Sequence, residues 1–270
     1  MDQKTSIGIV GVGMVGSAVA KYYDAKPDIE VRLYDKNKKL GSLEHALQAD
    51  FVFLCLPSPA GKNGEQDVSS YEETVPKLVS GSKVIIKSTV IPGTTERFQA
   101  LRPDVFLLHN PEFLDARTAV LDFAKPTMQV VGFTQTSKQY AETIMGLLPP
   151  APQTFYCSSA ESEMVKYFLN TFMATKNTFA NQMYDYCVAK GINYDKVKDI
   201  VKNSSRIGGE VHLRVFQDGY RGFQGACLPK DIAALINDAQ AIKPLKLLEL
   251  VHALNLVYVE EGSNKPGELA

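Results

Sequence analysis

The chain has 270 residues, 45% of them hydrophobic and 22% charged, with a formal net charge of −1. That length fits about two domains at the usual ~100–200 residues each, and the composition suits a globular chain with a true core. The near-neutral balance offers no basic surplus for nucleic acid or an anionic membrane, so neither is an expected partner. No apolar run approaches ~18 residues, and the N-terminus lacks a basic stretch followed by an apolar one, so a cytoplasmic protein with no leader and no membrane span is expected. Cys55, Cys157, Cys187 and Cys227 lie far apart with no CxxC spacing. That argues against a zinc site and a disulfide scaffold, and no metal is expected.

Predicted strands lie at 6–11, 30–35, 50–56, 82–88, 104–110 and 127–133. Most are continuous apolar runs rather than alternating ones. Strands covered on both faces by helices read that way, as in a parallel sheet of βαβ units. The second half changes character. Residues 158–190 form one long helical pattern, opened by a capping box of Ser158 and Glu161 and closed by Gly191. Shorter helices are predicted near 193–203, 229–240 and 243–260. The expected architecture is α/β: a Rossmann-like doubly wound parallel sheet over 1–157, then an all-helical domain over 158–262 built on the long helix, then a frayed polar tail at 263–270.

The first strand runs into "GVGMVG", which places Gly11, Gly13 and Gly16 in G-x-G-x-x-G spacing. Between a strand and a helix, this motif makes a tight turn, brings a pyrophosphate close to the backbone, and lets helix pack on strand. Val12, Met14 and Val15 complete the turn, and the helix N-terminus favours phosphate. The second strand ends in Asp35, 19 residues after Gly16. A carboxylate there accepts bonds from the ribose and repels a 2′-phosphate, which favours NAD over NADP. Lys36 and Lys38 keep NADP open.

The carboxyl ends of the next strands face the ligand crevice of such a fold. They supply Pro57, Ser58 and Pro59, then Ser88 and Thr89, then Glu112. Taken singly, Ser58 reads as a turn or cap residue. On the long helix Lys166 and Asn170 stand four apart and share a face, and Glu163 lies within reach of Lys166. On a helix this apolar, a lysine and an asparagine need partners or line a cavity. Finally, "GFQGACLPKD" sets Cys227 before a helix whose first position suits Pro229. A thiol there has its thiolate favoured by the helix dipole, so Cys227 reads either as a nucleophile or as a buried small hydrophobe.

These motifs, with "KSTVIPGTT", "NPEFL", "AESEMVKYFLNTFMATKNTFANQ" and "SSRIGG" in the same order, resemble the nucleotide-sugar 6-dehydrogenases that oxidise UDP-glucose or GDP-mannose, over roughly residues 6–260. The resemblance implies an NAD-dependent, four-electron oxidation of a primary alcohol to a carboxylate. It implies Cys227 as the nucleophile forming a thiohemiacetal and then a thioester, and Lys166 and Asn170 as oxyanion donors. Asp231 would support Lys166 and water, and Thr89 and Glu112 would position water and move protons. Lys230, Lys36, Pro57, Ser58 and Ser88 are implied toward the cofactor. Phe113, Leu114, Arg206, Phe223 and Gly225 are implied toward the substrate, with Glu112, Lys166 and Asn170. The resemblance also implies a homodimer through helix 158–190. Three departures stand out: a short form without the family's C-terminal nucleotide-binding domain is expected, Ala116 (beside Asp115) stands where the family has a second glutamate, and Gln224 stands where it has a loop glycine. Two other readings stay open: a two-electron β-hydroxyacid-type dehydrogenase, which needs no cysteine, and an NAD-binding pseudoenzyme acting as a partner subunit.

Overall fold

The structure, a computed structural model, describes residues 4–61, 63–216 and 219–262, so the expected tail at 263–270 lies outside the described residues. The chain forms two compact units, one of Met1–Pro59 with Gln66–Lys166 and one of Ala60–Glu65 with Tyr167–Ala270.

The first unit is a seven-stranded sheet in the order β2-β1-β3-β4-β5-β6-β7. Its strands are β1 (Thr5–Val10), β2 (Ile29–Tyr34), β3 (Phe51–Leu54), β4 (Lys83–Ile86), β5 (Phe106–His109), β6 (Met128–Phe133) and β7 (Gln153–Ser158). The helices between them are α1 (Met14–Asp24), α2 (Leu43–Leu47), α3 (Ser69–Thr74), α4 (Thr94–Leu101), α5 (Ala119–Ala124) and α6 (Ala141–Leu147). All neighbouring strands run parallel except β5 and β6, which meet antiparallel at Leu108–Phe133 and His109–Gly132. The expected parallel sheet therefore holds with one reversal. Strand β7 was not foreseen: its residues Gln153–Tyr156 are exposed, so the edge strand carries no apolar signature.

The continuous apolar runs are explained by burial on both faces. Ile7, Ile9, Phe53, Ile85, Leu108 and Val131 pack on one side with Tyr23, Phe123 and Ile144. Val10, Val52, Leu54, Val84, Ile86 and Leu107 pack on the other with Leu47, Tyr71 and Phe98. Burying a side chain of this size stabilises by about 1.5–3 kcal/mol, so two such layers hold the sheet rigid under its loops. The chain order changes direction between β1 and β3, the switch point where such sheets bind ligands.

The long helix α7 spans Ser159–Ala189. Its capping box forms as expected: Glu161 accepts from Ser158 N and Oγ, both at 2.8 Å, and Ser158 Oγ accepts from Glu161 N at 3.3 Å. Gly191, at φ 68°, closes it, with Ile192 N donating to Cys187 O at 2.8 Å and Gly191 N to Val188 O at 3.0 Å. The sequence sets a boundary at 157/158, whereas the compact units part at 166/167. The first two turns of α7 stay with the sheet because Ser162 bonds His109 at 2.9 Å and Glu163 bonds Thr95 at 2.8 Å.

The second unit adds α8 (Tyr194–Val201), α9 (Leu228–Ala239) and α10 (Lys246–Glu261) to the rest of α7. Ala174, Phe223, Ile232 and Val251 form one small core, and Ala180, Cys187, Tyr194, Leu213 and Val215 another. Asn237 reaches Asn63 O at 3.1 Å, which ties Ala60–Glu65 to α9. Along α7, Phe168, Phe172, Phe179, Met183 and Tyr186 make one stripe at helical spacing, each 38% exposed or more.

Candidate active site

The glycine turn has the form that a dinucleotide requires. Gly11 adopts φ 91°, and a Cβ there would lie 2.5 Å from Cys55 O. At Gly16 a Cβ would lie 1.9 Å from Gly11 O, so only glycine lets α1 sit this close to β1. Gly13 differs: a Cβ there would meet nothing within 4 Å. Space is left above it at the N-terminus of α1, the place for a pyrophosphate. Asp35 is fixed by the turn, its Oδ2 accepting from Val12 N at 2.8 Å and its Oδ1 from Lys38 N at 2.9 Å. Partial burial works against its charge, but the N–H groups of Lys38, Val12 and Asn37 hold its carboxyl below the usual range. Lys36 pairs with Glu73 at 3.0 Å and Lys38 Nζ donates to Val12 O at 2.6 Å. Both lysines are thus engaged within the protein, and the residues fit NAD.

The strand ends form a polar layer with most groups already engaged. Ser58, between Pro57 and Pro59, donates to Thr89 O at 2.8 Å, and Gln66 Nε2 donates to the same carbonyl at 3.0 Å. Ser88 Oγ donates to Leu56 O and accepts from Tyr71 at 2.6 Å, so its hydroxyl secures the strand ends. His109 is wholly buried, and burial pushes it down to about 3, so it is a neutral bridge between Ser162 at 2.9 Å and Ser88 O at 3.2 Å.

Lys87 is the group that sequence reading missed here. It is 3% exposed at the end of β4, with Nζ 2.6 Å from Asn110 Oδ1 and 2.9 Å from Glu112 Oε2. The contact to Glu112 is ionic and lacks hydrogen-bond alignment, which leaves Glu112 Oε2 buried without a hydrogen-bond donor. Glu112 Oε1 accepts from Phe113 N at 3.0 Å. Phe113 in turn lies beneath Lys166, 5.5 Å from Nζ to ring centroid, and Leu114 packs on the core. Asp115, beside Ala116, binds the Arg117 N–H at 2.9 Å and its guanidinium at 3.3 Å.

Glu163 does a job its spacing did not suggest: its carboxylate caps α4, accepting from Gly93 N at 2.6 Å, Thr95 N at 2.8 Å and Thr95 Oγ1 at 2.6 Å. Burial nevertheless pushes it up to about 7, against those three donors. The folded protein therefore holds a proton there that the unfolded chain, titrating near the ordinary value of 4.5, has lost, and stability falls as pH rises between those values. The shift corresponds to about 3 kcal/mol. Glu163→Gln is expected to flatten the decline of Tm between pH 5 and 8 while losing some stability at pH 5, where its amide N–H faces Gly93 N–H. An unchanged slope in thermal melts across that range would exclude Glu163 as its source.

In the second unit Asp231 is 1% exposed on α9. Its Oδ2 accepts from Asn170 Nδ2 at 2.6 Å and its Oδ1 pairs with Lys230. Asn170 is itself 2% exposed, so this amide has a set orientation. Cys227 is exposed at the N-cap of α9, with Leu228 the first helical residue and Pro229 the second, one place later than expected. The buried reading of this thiol is thus corrected. Cys187 is buried and Cys55 partly so, and burial pushes the Cys55 thiol up to about 12. Phe223 is buried, while Gly225 is exposed at φ 83° with nothing within 4 Å of its Cβ direction. Arg206 is exposed in a loop that Lys176 holds through Ile207 O at 3.1 Å and Gly209 O at 3.2 Å. Among the described residues no cluster of His, Cys, Asp and Glu fits a metal ion.

Two family models match: the NAD binding domain of the UDP-glucose/GDP-mannose dehydrogenase family over residues 41–147, and its central domain over 160–256. The chain belongs to this family. The glycine turn lies ahead of the first match, so its reading rests on the geometry above. A UDP-glucose 6-dehydrogenase of Bacillus subtilis is 34% identical over 220 residues, 77% of this chain and 46% of its own length. The chain thus spans about half of that relative. A UDP-glucose dehydrogenase structure from Pyrobaculum islandicum superposes with TM-score 0.82 at 25% identity, over 94% of this chain and 68% of its own. The fold is also that of a 3-hydroxyisobutyrate dehydrogenase from Mycobacterium tuberculosis, at TM-score 0.72 and 16% identity, over 97% of this chain and 94% of that one. The cofactor of the family's first domain is NAD.

Proposed function

We propose that this chain carries out the four-electron oxidation of the primary alcohol of a nucleotide sugar, such as UDP-glucose, to the carboxylate, through a covalent intermediate on Cys227. The observation that carries the reading is the exposed thiol at the N-cap of α9, with Asp231 buried in the first turn of the same helix and bonded to Asn170 at 2.6 Å. A thiol that merely filled a core would not occupy that place.

NAD supplies the hydride acceptor for each of the two oxidations. Thr89 and Glu112 order the water that takes the alcohol proton as the aldehyde forms. The Cys227 thiolate then adds to the aldehyde carbon and makes a thiohemiacetal, whose oxyanion is met by the Lys166 ammonium and the Asn170 amide. Loss of the second hydride converts it to a thioester. Water attacks the acyl carbon, the C–S bond breaks, and the thiolate returns while Asp231 and Glu112 take up protons. One alcohol and one water yield one carboxylate and two NADH. The support is the Asp231 bond, which orients Asn170, and the Phe113 ring, which faces the Lys166 ammonium. Arg206, Phe223 and Gly225 are proposed to contact the substrate, and Lys230 the cofactor.

The measurement is NADH formed per UDP-glucose. Two supports the reading, one supports the β-hydroxyacid alternative, and none alongside normal NAD binding supports the pseudoenzyme. We also propose a homodimer through α7, because the stripe from Phe168 to Tyr186 is too apolar to face water alone. Light scattering at micromolar concentration is expected to give twice the chain mass, and the double substitution Phe172→Glu and Phe179→Glu to halve it. A wild-type monomer rules the dimer out. No described helix is long and apolar enough to cross a membrane, and a cytoplasmic site is part of this proposal.

A further inference from the structure

The stretch from Arg221 to Cys227 carries the thiol, yet Cys227 makes no side-chain cap bond to α9. On the helix side its carbonyl accepts from Asp231 N at 3.0 Å, and the approach to it is held from upstream. Two buried groups act there. Asn255, 3% exposed on α10, bonds both backbone groups of Phe223: its Oδ1 accepts from Phe223 N at 2.7 Å and its Nδ2 donates to Phe223 O at 2.9 Å. Arg221 is 8% exposed and spans two helices. Its Nε donates to Asn181 Oδ1 at 3.0 Å and its Nη2 to Asp185, both on α7, while its Nη1 donates to Glu261 on α10 at 2.8 Å. Its guanidinium lies 4.3 Å from the Tyr258 ring. Gly222, at φ 76°, joins the two anchors, and a Cβ there would lie 2.7 Å from Asn255 Oδ1.

We infer that Asn255, backed by Arg221, is a positioning residue for the nucleophile: it fixes the backbone at Phe223 so that Cys227 is delivered at the α9 N-terminus. The amide suits this task better than a hydrophobe, because it pairs an N–H and a C=O that burial would otherwise leave unmet. Asparagine also reads the backbone in one register, so the loop cannot slide along α10. The arrangement matters for chemistry because a misplacement of about 1 Å can cost roughly a hundredfold in rate. It matters for the thiol because the dipole acts only within the first turn. The kinetic part of this inference rests on the proposed role of Cys227, while the geometric part does not.

The test uses the full chain carrying Asn255→Leu, Asn255→Asp or Gly222→Ala. Gly222→Ala strains the same contact from the loop side if the others fail to fold. Two quantities are measured on each variant that melts cooperatively. One is the rate of Cys227 alkylation by iodoacetamide, read by mass spectrometry. It is expected to fall about two- to fivefold as the thiol leaves the helix N-terminus. The other is NADH per UDP-glucose with semicarbazide present. It is expected to drop from two toward one as uncaptured aldehyde is trapped, with kcat down about a hundredfold and KM for NAD unchanged. Folded variants with wild-type alkylation, stoichiometry and kcat overturn the inference. A wild type that makes no NADH overturns the functional reading instead, and the alkylation rates then decide the positioning role alone.

Discussion

Cys227→Ser is expected to abolish acid formation while leaving the first oxidation in place. The variant should release at most one NADH per UDP-glucose, and the aldehyde should be recoverable with a hydrazine. The serine hydroxyl keeps the size of the thiol but is hardly ionised near neutral pH, so addition to the aldehyde loses its nucleophile. The rate of carboxylate formation should drop by roughly three orders of magnitude or more. NAD binding and Tm should hardly change, since the side chain is exposed and makes no cap bond. A serine variant with two NADH per substrate at an undiminished rate would falsify the thioester route. The four-electron oxidation would then run without a covalent bond to residue 227, because the β-hydroxyacid reading gives one NADH and not two.

Much of this site was legible in the sequence because its signals are local. The glycine spacing, the acid ending β2 and the thiol before α9 each follow from a few consecutive residues, and the turn geometry at Gly11 and Gly16 shows why no other residue fits. The capping box and the Gly191 closure of α7 are equally local. What stayed hidden depends on distant partners. Glu163 stands three residues before Lys166, yet the turn it caps at Gly93 is 70 positions away. Arg221 carries no periodic signal, and its partners come from helices about 40 positions to either side. Strand β7 was missed because edge strands need not be apolar. Lys87 could have been found: a lysine ending the apolar run "KVIIKS" must have a buried partner, and "HNPE" on the next strand held two.

That pair gives the second large expectation. Lys87 and Glu112 are 2% and 14% exposed at their side chains, so neither charge is well served by water. Lys87→Met keeps the volume of the stem but strands the carboxylate and the Asn110 carbonyl oxygen. Breaking a buried pair from one side costs about 3–5 kcal/mol, which for a chain of this size lowers Tm by roughly 10 °C. Glu112→Gln in the same background removes the stranded charge, so the double variant should recover most of that loss. Activity should not follow stability. Glu112 is proposed to order water and move protons, so the double variant should remain slow at the second oxidation while melting near the wild type. Both readouts come from one double-mutant cycle. If Lys87→Met destabilises equally with and without the Glu112→Gln change, the lysine acts through Asn110 and through the Phe123 ring, whose centroid lies 5.4 Å from its Nζ, rather than through the carboxylate. If activity returns together with Tm, Glu112 is a structural acid and the water of the thioester step must be handled elsewhere.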